Sequence, residues 1–148
     1  MTSPTLISPI AALREYLLSD ADVAEKAEAR LFVPELPPNE AAHMPRTCVV
    51  LSYSGGPPGI GASDYAPVAV NRIDVRCYGG PVISGGWFEV EELWRAVYLA
   101  LKGLQPQQVD DGYLYHAIKE AGPNHQRDSD TDWPLIFSSW AVMSGEAS

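Results

Sequence analysis

The stretch RDSDTDWP, residues 127–134, sets Asp128, Asp130 and Asp132 at every second position, a residue type and spacing with which a loop can cage calcium. Such a loop also needs Gly at its sixth position for the turn and a bidentate Glu at its twelfth. Those positions hold Trp133 and Ser139. The carboxylates therefore read as a polar turn between two strands, with Asp side chains bonding local backbone N–H groups. No other metal set suggests itself: His43, His116 and His125 form no HxxxH or HEXXH pair, and Cys48 and Cys77 lack CxxC spacing.

GPVISGGW, residues 80–87, has the glycine spacing of a phosphate loop. Gly86 and Trp87 stand where that loop needs Lys for the phosphates and Ser or Thr for magnesium, so the segment reads as the start of a helix. GIGAS lacks the preceding strand and following helix of a dinucleotide loop. GASDY, residues 61–65, is one glycine short of a nucleophile elbow. His116 falls on a predicted strand and reads as a structural or interface histidine. No cofactor and no enzymatic activity are expected.

Composition narrows the class further. At 148 residues the chain suits one domain, one that buries roughly 68% of the surface its unfolded form exposes. Its 10 Lys and Arg face 19 Asp and Glu, a net charge of −9. Nucleic-acid binders and anionic membranes both call for cationic clusters, and the sequence shows no such run. There is no basic leader and no apolar stretch of membrane-spanning length, which leads to the expectation of a soluble protein whose two cysteines stay reduced and buried.

The elements that would position these residues follow from local patterns. Ser8-Pro9 starts a helix whose face carries Ile10, Leu13 and Leu17, and SDAD at 19–22 starts a short one near 20–30. The proline-rich segment 33–45 reads as a connecting loop. RTCVVLSYS, 46–54, reads as a strand covered on both faces. The Gly- and Pro-rich segment 55–67 reads as a long exposed loop. Over 68–78, Ile73, Val75 and Cys77 alternate with Arg72, Asp74, Arg76 and Tyr78, so one face is buried and the other polar or docked to a partner.

From Ser84 to about Leu104, Val90, Leu93, Trp94, Val97, Tyr98 and Leu101 form the stripe of an amphipathic helix lying on a sheet. Burying those six side chains at about 1.5–3 kcal/mol each makes the helix core, with Trp94→Ala expected to cost about 3–5 kcal/mol. GYLYHAIKE (112–120) and LIFSSWAVMS (135–144) read as two more strands, and 145–148 as a frayed tail. The expectation is an α+β fold: an antiparallel or mixed sheet of about four strands in two hairpins, helices packed on one face. A small acidic domain with a strong core and no cofactor motif suits an assembly component.

In element order and local texture, the chain resembles the tail terminator, or tail completion, proteins of long-tailed bacteriophages. The resemblance covers roughly residues 8–143. It rests on the N-terminal helix IAALREYLLSDADVAEKAEARLF, the proline-rich link, PRTCVVLSYSG, the strand NRIDVRCYGG, the long helix, GYLYHAIKE, and the turn DSDTDWP before a last strand. It implies a virion subunit, assembled in the host cytoplasm, forming a ring, usually hexameric in that family, at the neck end of the tail. That ring would stop tube growth and offer a surface for head joining, with the tail tube protein and a head-completion or connector protein as partners. DNA would pass through without specific binding, and six copies at −9 each would present about −54 in total, a charge that repels phosphate. The alternative is another head–tail connector, head-completion or minor tail protein. On either reading the contact candidates are Gly56, Pro57, Pro58 and Ile60 of the loop, Arg72 and Arg76 of the polar strand face, and Asp128, Asp130 and Asp132 of the turn.

Overall fold

A computed structural model of the chain describes residues 8–54, 68–81, 85–109, 112–128 and 131–146. Ser8 caps helix α1 (Pro9–Ser19) by accepting the Ala11 N–H at 3.3 Å, as its type and the following proline suggest. The second cap is Asp20 rather than Ser19, its carboxylate accepting the Val23 N–H at 3.1 Å at the start of α2 (Ala21–Ala27). That helix stops at Ala27, short of the expected residue 30, because Glu28 and Ala29 turn to φ 50° and 61°.

A two-residue strand β1 (Leu31–Phe32) then pairs in parallel with β2 (Cys48–Tyr53), Leu31 opposite Val49. The link between them contains a single helical turn, α3 (Pro38–Ala41), inside the segment expected to be all loop. The long strand β3 (Val68–Tyr78) leads to helix α4 (Gly86–Lys102), and a short β4 (Gln107–Val109) to β5 (Gly112–Arg127) and β6 (Pro134–Glu146). The sheet order is β1-β2-β3-β6-β5-β4. The α+β class and the two hairpins stand, with the central pair formed by β3 and β6, but the described residues give six strands instead of about four. β6 continues through Glu146, opposite Gly112, into the segment read as a tail.

The main core lies between the sheet and α1, α2 and α4. β3 sends Ile73, Val75 and Cys77 into it, the alternation read from sequence. Leu13, Leu17 and Val23 meet them from α1 and α2, and Val90, Leu93, Val97 and Leu101 from α4. Trp94 and Tyr98 depart from the expected stripe: both are only partly buried, on the flank of α4 beside β5. The reason is that Trp140 of β6, 2% exposed, already fills the core there and Tyr98 packs against it at 6.1 Å.

The other face of the sheet is covered at one end by the proline-rich link, where Leu36 and Met44 lie over Cys48, Val50, Tyr78 and Leu135. Helices thus cover one face, as expected, and the link covers part of the second. β2 is consequently covered on both sides, with all four residues from Cys48 to Leu51 buried. Where β3 hands over to α4, a side chain at Gly86 would drive into the Gly80 carbonyl, so two backbones meet there and the glycines are structural. Glu89 fixes the same junction by accepting the Gly80 N–H at 3.2 Å.

Candidate functional site

Two of the three carboxylates that suggested chemistry, Asp128 and Asp132, are engaged locally. Asp128 accepts the Thr131 N–H at 3.0 Å, its own N–H donates to the Trp133 carbonyl at 2.9 Å, and its carbonyl accepts the Asp132 N–H at 2.8 Å. Asp132, at φ 61°, turns its carboxylate to Arg127 of the same chain at 2.9 Å. This is a self-bonded polar turn between β5 and β6. Among the described residues, no three His, Cys, Asp or Glu side chains gather as a metal site. Asp130, the loop 55–67 and its candidates Gly56, Pro57, Pro58 and Ile60 lie outside the described residues.

The cysteines are free and buried. Burial pushes the Cys48 thiol up to about 12 and raises that of Cys77 further, so neither supplies a thiolate nucleophile near neutrality. His116 sits opposite Met143 on β5, and its Nδ1 is buried with no hydrogen-bond partner among the described residues. His125 instead meets Glu91 at 3.3 Å and lies 5.9 Å from the Trp87 ring. No nucleophile and base come together in these arrangements.

Surfaces are what the fold builds. Arg72 and Arg76 lie on the face of β3 opposite the main core, as the alternation predicts. Arg72 bonds Glu120 of β5 at 3.1 Å, while Arg76 donates to Ser52 at 3.0 Å and stacks over Phe137 at 5.2 Å. Beside them runs an open sheet edge. β4 pairs with β5 only from Gly112 to Leu114, so the outer side of 115–127 has no neighbouring strand among the described residues. Three register shifts against β6, and Pro123 within the strand, break the regularity of this edge, which discourages indiscriminate pairing.

Two further surfaces escape sequence reading. On the β5 flank of α4, the Trp94 and Tyr98 rings stack at 5.2 Å, and Lys102 and Lys119 place their ammonium groups 5.8 and 5.4 Å from the Tyr98 centroid. Arg95 and Leu99, one helical turn away, extend this ledge, with Leu99 60% exposed. On the opposite flank, α2, the start of α4 and residues 45–47 enclose an open cleft of about 410 Å³. Glu25, Glu28, Glu89 and Glu92 line it together with Lys26, Arg30 and Arg46. Lys26 pairs with Glu92 at 3.4 Å and Arg30 with Glu28 at 2.7 Å, while Arg46 pairs with Glu40.

The class defined by these features is a single α+β layer of sheet and helices whose distinctive chemistry lies in its flanks and its open edge. Among solved structures, this fold is shared with a chain of the virion of a native gene transfer agent (GTA) particle. That likeness has a TM-score of 0.61 at 22% identity, covering 91% of this chain and 92% of that one. No protein-family model and no curated protein matches the sequence.

Proposed function

We propose that the chain is a structural subunit of a phage-like virion. The single observation that carries this is the fold match to a GTA virion chain, which runs through about nine-tenths of both chains and so concerns the whole domain rather than a shared motif. The broad polar flanks agree with a role in assembly. Within that class the reading is a tail terminator: a ring, hexameric by resemblance, that caps the tail tube at the neck end, stops its growth and presents a joining surface for the head. Its partners are then further copies of itself, the tail tube protein and a head-completion or connector protein. The net charge of −9 favours free passage of DNA over binding. Arg72, Arg76, Asp128 and Asp132, together with Gly56, Pro57, Pro58, Ile60 and Asp130, are the contact candidates.

Electron microscopy of particles assembled without the protein tests this reading. Overlong tails support termination. Headless tails of normal length instead indicate another connector or head-completion protein, and normal infectious particles contradict both.

A further inference from the structure

We propose that the cationic ledge on the β5 flank of α4 docks into the glutamate-lined cleft of a second copy, head to tail. The inference builds on the reading of the chain as an assembly subunit and names the surfaces through which copies would meet.

Its basis is an imbalance in how the charges are used. Six of the ten Lys and Arg residues are ion-paired with carboxylates of the chain: Arg14, Lys26, Arg30, Arg46, Arg72 and Arg127. A seventh, Arg76, is held by Ser52 and Phe137. Arg95, Lys102 and Lys119 are left with no carboxylate partner among the described residues, although the chain carries 19 acids. All three belong to one ledge. Lys102 and Lys119 approach the same Tyr98 ring from different elements, and Arg95 sits one turn from Tyr98 on the same helix. The exposed Leu99 adds apolar area beside them. Cations spread over an aromatic stack with an apolar neighbour are suited to an acidic protein surface, where desolvation strengthens each charge pair.

The chain itself carries a matching surface on its opposite flank, a cleft where four glutamates stand against Lys26, Arg30 and Arg46, the last of which is paired with Glu40. The cleft holds four glutamates, of which Glu25 and Glu89 have no cation partner among the described residues. Arg30 and Thr47 of the cleft adjoin β1 and β2 at one edge of the sheet, whereas Lys119 belongs to β5 near the other. A single copy therefore cannot satisfy itself. Because ledge and cleft are different surfaces, their pairing is heterologous, each copy giving one and receiving the other, and it propagates from copy to copy instead of ending at a dimer.

Zero-length carbodiimide coupling tests the contact, since it joins an amine to a carboxylate only where the two touch. The full chain is treated as an equal mixture of isotope-labelled and unlabelled copies, so that mass spectrometry separates links between copies from links within one. The expected result is amide bonds between copies, from Lys102 or Lys119 to the cleft glutamates, that fade as salt is raised. K102E/K119E should abolish those links. Adding E25K/E28K to that same chain should restore self-association, measured by sedimentation, because both charges are then reversed. The exchanged positions are exposed, and circular dichroism confirms that each variant folds. A wild-type chain that stays monomeric and yields no link between copies overturns the contact while leaving the virion reading in place. Links concentrated at other residues overturn it too. Normal particles made without the protein would instead remove the virion reading and leave the contact standing.

Discussion

β2 and β5 hold equivalent places, one on each side of the central β3–β6 pair, yet they are built to opposite rules. β2 pairs with β3 over six residues without a register shift, and its first four residues are buried between the helices and the link. β5 has sixteen residues and three register shifts, and most of its second half is exposed along an edge that no strand covers among the described residues. The difference follows from side chains. CVVL has only apolar groups to offer and must be covered on both sides, whereas KEAGPNHQR has six polar side chains in nine residues and no large apolar one, and is stable in water. One side of the sheet supplies stability and the other leaves polar surface open to water.

Substitutions can break that contrast, and the largest effect should come from β2. Leu51→Ala, at a fully buried position, should lower unfolding free energy by about 2–5 kcal/mol in denaturant titration. A loss near zero would mean that β2 is not the stable side. Alkali should act on the same side. Folded Cys48 and Cys77 have raised pKa values, so the unfolded chain releases their protons first. The stability they contribute is fully present below the ordinary thiol value of 9.0 and is lost as pH rises toward about 12, the folded value for Cys48. Denaturation midpoints measured across that window should fall, and C48V/C77V should flatten the fall.

Smaller effects sharpen the comparison. Trp94→Ala should cost about 1–2 kcal/mol, less than a core tryptophan, because its ring is only partly buried and loses mainly the Tyr98 stack. A loss of 3–5 kcal/mol would return Trp94 to the core. On β5, Ile118→Ala should change stability by no more than about 0.5 kcal/mol, its side chain being 58% exposed. Arg72→Ala removes only a surface ion pair with Glu120 and should cost under about 1 kcal/mol.

Much of this architecture is legible in the residues. The β3 range agrees with its alternation from Val68 to Tyr78, and α4 with its apolar stripe, because both patterns repeat long enough to fix a period. β1 and β4, two and three residues long, are too short to show one, and they form only because a neighbouring strand offers hydrogen bonds. The second cap moved from Ser19 to Asp20 because both are good caps and only backbone geometry chooses between them. The polar turn read at Asp128 and Asp132 was legible because Trp133 stands where a calcium loop needs its turn glycine, and both side chains bond within the turn. The cationic ledge was invisible for a different reason: Lys102 and Lys119 are far apart in sequence and meet only across the Tyr98 ring.

The measurement that bears most directly on the central claim is gold labelling of purified particles with an antibody to this chain, viewed by electron microscopy. A virion subunit of the proposed kind places gold at the junction of head and tail in most particles. Intact, infectious particles that carry no label and no peptide of the chain by mass spectrometry would contradict the account.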